Sequence, residues 1–452
     1  MSLRANFLIC HCERSEAISP VDRIVWVSEG LSIGSHDMNK SAHKPQAEII
    51  FEAPLARGIK PLAAYKEQSW KCVRCGMCRG VNPEKVQSQR YSDSCPAGTR
   101  FKYESYFSSG RQEIIRALTA DPPELEITER LLKVIYTCTA CGHCQVNCNP
   151  IKNNEPLNAF TALREWLVQK GYGPLPGHNV LIKSIQNYDN PWMRPRGGRD
   201  KWAKELKVKD LNKEKAEVLY YVGCTGAYDP NFQPVAQATA AILSRAGVDF
   251  GILGKSERCC GSTMLRVGDR AGFEKNLAPN LEKFNSLGAK VIVTACAGCY
   301  STLKHEYAEH LDAPVLHITE YLAQLLREKR ITFRKELSRV VTYHDPCHIG
   351  RYCGVYDAPR EVLRAIPGLE FRELERRREY SWCCGSGGGV KSAFPDFAVW
   401  TAGERLQEVK DVGATGLVTA CPFCEQNFAD ANAFGGHNLE LYDLARLVAE
   451  LI

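Results

Sequence analysis

Apolar residues recur at two different spacings along this chain, and the change falls near residue 216. Before that point, at 112–118 and 126–136, they return every three or four residues, which predicts amphipathic helices. After it, short continuous apolar runs alternate with a long helical pattern at 235–246. These runs lie at 218–222, 250–253 and 291–294. Strands that alternate with helices predict a parallel sheet covered by helices.

The same order of elements then returns a second time. Apolar runs at 339–343 and 416–420 each lead into a cysteine. Alignment by cysteine pairs Cys224 with Cys347, Cys259 with Cys383, and Cys296 with Cys421. The three separations are 123, 124 and 125 residues, and such a near-constant offset indicates an internal duplication.

Cysteine is the residue type that departs from ordinary composition. The chain has 452 residues, of which 44% are hydrophobic and 24% are charged, and it contains 21 cysteines. Small secreted proteins that depend on disulfides are shorter and denser in cysteine, and no convincing secretory signal is present. Metal or cluster ligation is therefore the leading interpretation of the cysteines.

Charge and hydropathy argue against two classes of function. The net charge is +6, and 58 basic residues are interleaved with 52 acidic ones, without the concentrated basic stripe of a nucleic-acid-binding protein. No apolar run reaches about 18 residues, so we expect no transmembrane segment. The polar, charged residues 191–215 predict a linker.

The sequence pattern of residues 1–37 differs from that of the rest of the chain. We interpret them as an over-extended start, with Met38 as the plausible true first residue. Cys10 and Cys12 lie in this segment as a Cys-x-Cys pair, which is a weak metal-binding candidate.

Two groups of cysteines in the helical region share one spacing. The first is Cys72-x2-Cys75-x2-Cys78 with a distant Cys95-Pro96, and the second is Cys138-x2-Cys141-x2-Cys144-x3-Cys148. Such triplets let one loop hold three corners of a [4Fe–4S] cube, and in two-cluster ferredoxins the fourth cysteine ligates the other cluster. We therefore predict one cluster on Cys72, Cys75, Cys78 and Cys148, and another on Cys138, Cys141, Cys144 and Cys95. Structural zinc is the alternative, although zinc sites use cysteine pairs rather than triplets.

The spacing departs from bacterial ferredoxins at two points. Sixteen residues separate Cys78 from Cys95, where three are usual, and Asn149 stands between Cys148 and Pro150. The helical patterns between the motifs resemble instead the all-helical ferredoxin domain of succinate dehydrogenase iron–sulfur subunits and of the small heterodisulfide reductase subunit. His143, inside the second loop, is interpreted as a neighbour of the cluster rather than a ligand.

Each copy of the α/β pattern carries five cysteines in one order: a single cysteine, a Cys-Cys-Gly, and a Cys-x2-Cys. The first copy has Cys224, Cys259, Cys260, Cys296 and Cys299, and the second has Cys347, Cys383, Cys384, Cys421 and Cys424. Ligands of α/β layers bind at strand ends, so these thiolates are expected to converge on one point in each copy. Gly261 and the glycines between 385 and 389 let the backbone pass close to a large inorganic group. The run 386–389 lacks the GxGxxG spacing of a dinucleotide site.

This cysteine order resembles the CCG (cysteine-rich) domain of heterodisulfide reductases. The sequence of residues 344–351 and 354–360 also resembles that domain. From about residue 60 onward the chain resembles the D subunit of heterodisulfide reductase, which fuses a cubane-bearing part to a CCG-bearing part. The resemblance implies that each complete five-cysteine motif holds a noncubane [4Fe–4S] cluster, so that up to two are present. Adjacent cysteines do not easily serve two corners of a regular cube, which agrees with an opened cluster.

The predicted fold class is α + α/β: an all-helical two-cluster ferredoxin domain followed by duplicated Rossmann-like α/β CCG domains. The predicted boundaries are a lead-in at 1–59, the ferredoxin domain at 60–190, the linker at 191–215, the first CCG domain at 216–335 and the second at 336–452. Weaker site candidates are His344 and His348 beside Cys347, Tyr228 and Arg266 near the first motif, and Cys353, which we interpret as a free core thiol.

The resemblance implies an iron–sulfur oxidoreductase in which the ten CCG cysteines are catalytic. Electrons would pass through two cubane clusters to the CCG clusters, which reduce a disulfide or oxidise two thiols. An alternative is an electron relay between a flavoprotein dehydrogenase and the quinone pool, as in glycolate oxidase or anaerobic glycerol-3-phosphate dehydrogenase. A third hypothesis is a zinc-stabilised interaction module. The expected partner is a membrane cytochrome b or a flavoprotein, with the chain held in the cytoplasm at the inner face of the membrane.

Overall fold

A computed structural model describes residues 58–81 and 85–452. The segment 1–57, with Cys10, Cys12 and Met38, lies outside the described residues. The described chain confirms a helical N-terminal region followed by α/β layers with parallel sheets. The finer Rossmann-like assignment stays a prediction.

Helices make up the N-terminal region. They are α1 (Lys66–Trp70), α2 (Pro96–Phe101), α3 (Ser108–Leu118), α4 (Glu129–Tyr136), α5 (His143–Lys152), α6 (Pro156–Gln169) and α7 (Pro176–Tyr188). The predicted helix at 126–136 begins later, because the Thr128 side chain accepts a hydrogen bond from the Leu131 amide and caps α4. Ile115, Leu163 and Leu167 are buried between these helices and form their core.

The first α/β half has a sheet whose strands all run parallel. Its strands are β1 (Lys209–Asp210), β2 (Val218–Tyr220), β3 (Phe250–Ile252), β4 (Val291–Thr294) and β5 (Val315–His317). Its helices are α8 (Gly223–Tyr228), α9 (Gln233–Arg245), α10 (Ser262–Val267), α11 (Arg270–Ser286), α12 (Ala297–Thr302) and α13 (Ile318–Arg327). The strand order is β1-β3-β2-β4-β5.

The second half repeats this arrangement. Its strands are β6 (Val340–Tyr343), β7 (Glu370–Phe371), β8 (Gly416–Thr419) and β9 (Glu440–Asp443). Its helices are α14 (Gly350–Cys353), α15 (Asp357–Arg364), α16 (Val390–Ala393), α17 (Pro395–Asp411), α18 (Pro422–Gly435) and α19 (Leu444–Leu451). The parallel order β7-β6-β8-β9 matches β3-β2-β4-β5, as a duplication predicts.

The segment 191–215, expected to be a linker, is built into the first half. Lys209 and Asp210 of β1 pair in parallel with Gly251 and Ile252 of β3. Trp202 and Leu211 are buried in the same hydrophobic core as the sheets. The many charged residues of this segment obscured its few apolar residues, Trp202 and Leu211 among them. The segment is therefore not the solvated linker that its charge predicted.

The two halves share one hydrophobic core. Helix α19 of the second half packs on α9 of the first, and α13 of the first packs on α15 of the second. The Arg245 guanidinium donates to the Ala449 carbonyl at 2.9 Å across this contact. No helix in the described ranges is both long and apolar enough to cross a membrane.

The helical region contacts the second half through a glycine-rich loop. Gly388 has a φ of +64°, and a Cβ placed there would lie 2.5 Å from the Cys138 carbonyl oxygen. Arg164 of α6 bridges the two sides, because its guanidinium donates to the carbonyls of Gly388 and Cys138 at 3.0 and 2.6 Å. The glycine run that resembles a nucleotide loop therefore allows close packing of two backbones.

We expect Gly388→Ala to lower the free energy of unfolding by about 2–4 kcal/mol, since the new methyl group meets backbone atoms that cannot move freely. Gly436→Ala is the matched control, because Gly436 also has a positive φ, +55°, but no atom lies within 4 Å of the place its methyl group would take. The control loss is expected to be about 1 kcal/mol, from backbone strain alone. Urea unfolding under anaerobic conditions measures both, and equal losses would contradict the packing argument.

Candidate metal centres

The first cysteine triplet lies at the surface of the helical region. Cys75 is exposed, whereas Cys72 and Cys78 are partly buried. Arg116 of α3 holds the loop, because its guanidinium donates to the carbonyls of Ser69 and Cys72. This arrangement leaves one edge of the triplet open to solvent.

Cys148 of α5 lies beside this first triplet. Burial raises the pKa of its thiol to about 11, and the neighbouring sulfurs of Cys78, Cys72 and Cys75 add to the rise. The structure thus brings Cys148 together with the three residues that the crossed assignment pairs with it. The ligation itself stays a prediction.

The second triplet encloses a small cavity of about 30 Å³ behind the first. Cys138, Cys141, Cys144 and Cys95 line it, together with Cys78 of the first triplet. Burial raises the pKa of Cys95 to about 12, while Arg111 opposes this rise and the sulfurs of Cys138 and Cys141 add to it. The structure thus brings Cys95 together with the three residues that the crossed assignment pairs with it, and Cys78 lines the same cavity. The ligation stays a prediction.

The five cysteines of the first α/β half converge where its strands end. Cys224 lies in the first turn of α8 after β2, Cys259 and Cys260 precede α10, and Cys296 occupies the N-cap position of α12 after β4. Their sulfurs contact one another in the order Cys224, Cys259, Cys260, Cys299 and Cys296. The Cys260 and Cys299 sulfurs lie 3.4 Å apart, which is too far for a disulfide bond.

The second half repeats this arrangement. The sulfurs contact in the order Cys347, Cys383, Cys384, Cys424 and Cys421. In both halves the amide that follows the cysteine pair donates to the first sulfur of that pair at 3.4 Å: Gly261 to Cys259, and Gly385 to Cys383. Both glycines have a positive φ, and a Cβ on Gly261 would lie 2.4 Å from the Phe273 ring.

The donor sets fit iron–sulfur groups. All 19 cysteines in the described residues are free thiols, and the ten CCG cysteines are buried. Burial raises the pKa of Cys144, and the Cys260 sulfur together with burial raises that of Cys299. Neighbouring sulfurs instead lower the pKa of Cys260, Cys296 and Cys384. Groups of buried thiols without disulfides are suited to metal, because metal binding replaces their protons and compensates the thiolate charge.

Arg199 contacts the first five-cysteine site, although its segment resembled a linker in sequence. Its guanidinium nitrogens lie 3.5 and 3.6 Å from the Cys224 sulfur, and it forms a buried ion pair with Glu257 at 2.6 Å. Glu257 accepts hydrogen bonds from the Val222 and Gly223 amides and so holds the turn into Cys224. Tyr228, a sequence candidate, packs its ring 5.6 Å from Arg199.

Two histidines contact the second five-cysteine site. Arg405 donates to Nδ1 of His344 at 3.3 Å, which leaves the proton of a neutral imidazole on Nε2. His344 lies within 4.8 Å of the sulfurs of Cys384 and Cys424 and interacts with Cys384. His348 has Nδ1 3.2 Å from the Cys347 sulfur. Both histidines therefore lie against candidate ligands.

The two remaining sequence candidates differ in position, because His143 lines the small cavity of the second ferredoxin centre whereas Cys353 belongs to no sulfur group. His143 has Nε2 3.2 Å from the Gly80 carbonyl oxygen, and burial lowers its pKa to about 3. Cys353 has its sulfur 3.4 Å from Nε2 of His305, and burial raises its pKa to about 12. His143 therefore lies beside the second ferredoxin centre, and Cys353 is a free, partly buried thiol.

The helical region contacts the second five-cysteine site directly. The thiols of Cys141 and Cys383 are neighbours, and each shifts the pKa of the other. Sequence spacing gave no signal of this contact, because the two residues are far apart in the chain and belong to different motifs. It makes Cys383 the link between the ferredoxin-like and CCG-like cysteines.

Both five-cysteine sites open into one cavity of about 280 Å³. Nine of the ten CCG cysteines line it, and Cys383 does not. Other wall residues include Trp192, Arg266, Lys391 and Phe423. Two sulfur groups therefore face the same cavity. Any metal group bound by these sulfurs would occupy part of it.

Comparison with known proteins decides the family. The cysteine-rich CCG domain family matches residues 218–304 and 341–429, and the 4Fe-4S dicluster domain family matches 68–150. The D subunit of dihydromethanophenazine:CoB–CoM heterodisulfide reductase from Methanosarcina mazei is 36% identical over 391 residues, which are 84% of this chain and 93% of that protein. The chain belongs to the family of heterodisulfide reductase D subunits. It is an iron–sulfur oxidoreductase with two CCG domains.

Relatives of this heterodisulfide reductase-type chain carry other names as well. The probable iron-sulfur-binding oxidoreductase FadF of Bacillus subtilis is 33% identical over 76% of the chain and 50% of its own length. EtfAB:quinone oxidoreductase of Syntrophomonas wolfei is 30% identical over 83% of the chain and 57% of its own length. A solved aspartate racemase homologue from Pyrococcus horikoshii covers 52% of this chain and 96% of its own, but its 13% identity and TM-score of 0.26 are too low to bear on function.

We expect Cys95→Ala to lose about four of about 16 irons per chain, because it removes the fourth sulfur of the second ferredoxin centre. Cys353→Ala is the matched control: it removes another largely buried thiol, whose sulfur contacts His305 rather than a sulfur group. Iron and acid-labile sulfide per chain, measured after anaerobic purification, check both variants. Equal iron in Cys95→Ala and the unchanged protein would contradict the assignment.

Proposed function

We propose that this chain carries electrons through two cubane [4Fe–4S] clusters to noncubane clusters at the five-cysteine sites, where a disulfide is reduced or two thiols are oxidised. The predicted ligand sets are those given by the sequence: Cys72, Cys75, Cys78 and Cys148; Cys95, Cys138, Cys141 and Cys144; and the two CCG sets. The observation that carries the proposal is the single cavity onto which both five-cysteine sites open.

Contacts between the cysteine groups support an order of transfer. Cys75 is exposed, so a redox partner reaches the first ferredoxin centre from solvent. Cys78 also lines the cavity of the second centre, and Cys141 of that centre contacts Cys383 of the second CCG site. The route therefore runs from the surface, through the second ferredoxin centre, to the second CCG site and the shared cavity.

Disulfide chemistry suits a cavity with a sulfur site on each side. Reduction takes two electrons and two protons: the S–S bond breaks and two thiols form. Iron–sulfur groups, when bound, supply these electrons one at a time. The protein supplies the enclosure, and a disulfide held between the two sites has each sulfur near one of them.

Three residues of the cavity wall carry buried polar atoms that have no hydrogen-bond partner. Within the described residues, Nε1 of Trp192, Nε of Arg266 and Nε2 of His348 are buried and make no hydrogen bond. All three residues line the cavity. Trp192 and Arg266 offer donors there, while Nε2 of His348 accepts if Nδ1 donates to the Cys347 sulfur. Rearrangement of these side chains would let the wall orient a polar thiol or disulfide.

A second candidate function is an electron relay that carries out no disulfide chemistry. It is favoured by the likeness to EtfAB:quinone oxidoreductase and to FadF. In this case a flavoprotein gives electrons to the chain and a membrane partner, such as a cytochrome b, passes them to quinone. Either function places the chain in the cytoplasm beside a membrane-bound or flavoprotein partner.

One experiment separates these two functions. The anaerobic protein with about 16 irons per chain is reduced chemically and mixed with a small polar disulfide such as oxidised glutathione or cystamine. Disulfide reduction predicts two thiols released per two electrons consumed, and a new electron paramagnetic resonance signal when thiol is added under oxidising conditions.

The control is Cys384→Ala, which removes one sulfur from the second CCG site and should abolish thiol release while the two ferredoxin centres remain. Reoxidation by a quinone analogue, with no thiol released from several disulfides, would favour the relay. A protein that contains zinc and no acid-labile sulfide would overturn both functions.

A further inference from the structure

Buried arginines of this protein fall into two groups according to what they hydrogen-bond. Arg199 pairs with Glu257, Arg360 with Asp345, and Arg376 and Arg405 with Glu408. Each of these guanidiniums lies against at least one carboxylate, although Arg376 and Arg405 share that of Glu408. Charge burial is costly, so such pairing is what an ordinary protein interior requires.

Arg111, Arg164 and Arg351 form the other group. Their relative exposures are 2%, 3% and 6%, yet none lies within 4.0 Å of a carboxylate in residues 58–81 and 85–452. Instead, each donates to backbone carbonyl oxygens. Carbonyls satisfy the N–H groups but leave the positive charge without a compensating carboxylate.

The carbonyl contacts fix each guanidinium. Arg111 donates to the carbonyls of Val134 and Tyr106, with 2.8 Å to Val134. Arg351 donates to the carbonyls of Cys141, Glu379 and Ser381 at 2.7, 3.1 and 2.6 Å.

Arg164 is held in the same way. It donates to the carbonyls of Arg266 and Gly388 at 2.7 and 3.0 Å, and to those of Ile135 and Cys138 at 3.0 and 2.6 Å. Three long side chains are thus held rigidly, although they come from three different helices, α3, α6 and α14.

All three cations face the same sulfur group. Arg111 lines the small cavity of the second ferredoxin centre and acts electrostatically on Cys95. Arg164 interacts with Cys138, and Arg351 with Cys141 and, across the junction, with Cys347 and Cys383. The three guanidiniums therefore lie beside the second ferredoxin centre, and Arg351 also lies beside the second five-cysteine site.

The first ferredoxin centre lacks this feature. Its nearby arginines, Arg74 and Arg116, both pair with Glu113, at 2.8 and 2.5 Å. That centre has an exposed edge at Cys75, so water screens its charge. The cysteines of the second centre are partly buried and none of them is exposed, so water screens its charge less.

We propose that Arg111, Arg164 and Arg351 are positioning residues that balance the negative charge of the second ferredoxin centre and so allow it to accept an electron in the protein interior. Burial alone disfavours reduction, because the added electron makes a thiolate-bound cluster more negative. Three fixed cations offset that cost. The inference rests on the proposed function, because it requires a cluster on Cys95, Cys138, Cys141 and Cys144.

The test is a redox titration of the anaerobic holoprotein, followed by electron paramagnetic resonance, for Arg111→Gln, Arg164→Gln and Arg351→Gln. Each change is expected to lower the equilibrium constant for reducing the second centre by on the order of tenfold. A tenfold change corresponds to about 59 mV for a one-electron couple. The potential of the first centre stays unchanged in all three variants.

Two further sets of variants separate charge from structure. Lysine at the same three positions keeps the charge and loses the planar fork, so these variants should retain most of the unchanged protein's potential. Arg116→Gln is the matched control: Arg116 also lies on α3 and donates to a carbonyl beside a ferredoxin cysteine, but Glu113 neutralises it. It should leave the second centre unchanged.

A surface variant covers the case in which a glutamine variant loses its iron. Glu113→Gln removes the carboxylate shared by Arg74 and Arg116 and leaves both positive charges uncompensated. Reduction of the first centre is therefore expected to become more favourable, but only a few-fold, because solvent screens this site. The inference is overturned if the potentials do not move, or if lysine and glutamine lower them equally while the iron content is full. Absence of iron–sulfur clusters from the unchanged protein would instead overturn the proposed function.

Discussion

The arrangement of this protein is governed by the cost of placing sulfur atoms that carry negative charge in a low-dielectric interior. Each five-cysteine site meets this cost with local backbone groups. Cys296 and Cys421 cap α12 and α18, where unpaired amides and the helix dipole favour negative charge. The Gly261 and Gly385 amides add a hydrogen bond to sulfur. Such backbone donors are available wherever a parallel strand leads into a helix, which is why the fold suits repeated sulfur sites.

Duplication preserved this backbone arrangement, while side chains around it diverged. The residue three positions before the first cysteine of each motif is Tyr221 in one half and His344 in the other. Tyr221 donates to the Arg258 carbonyl at 2.6 Å, whereas His344 interacts with Cys384. Four positions after that cysteine, Tyr228 corresponds to Arg351. Two sites of one geometry thus have different electrostatic surroundings.

The sequence predicted the parts of the structure that depend on local spacing. Apolar runs located β2, β4, β6 and β8 to within two residues, because each is a buried central strand whose neighbours are turns and helices. Cysteine spacing located both the ferredoxin and the CCG motifs, because most of the cysteines in each motif lie in short loops.

Contacts between residues far apart in the chain could not be predicted from local spacing. Arg199 lies in a polar segment and its carboxylate partner Glu257 is 58 residues away, so charge counting treats both as surface residues. The contact between Cys141 and Cys383 depends on how the helical region packs on the second half. No local pattern encodes that packing, and it requires the three-dimensional arrangement.

The packing of α19 on α9 has a consequence for how the molecule moves. This helix is the last in the chain, yet it covers a helix of the first α/β half, and α13 in turn covers α15. The two halves are therefore interlocked rather than hinged, and separating them would expose apolar surface on both sides. The cavity shared by the two five-cysteine sites is partly open, so access to it does not require the halves to separate. The folded scaffold therefore fixes the distance between the two sulfur-lined sides of the cavity.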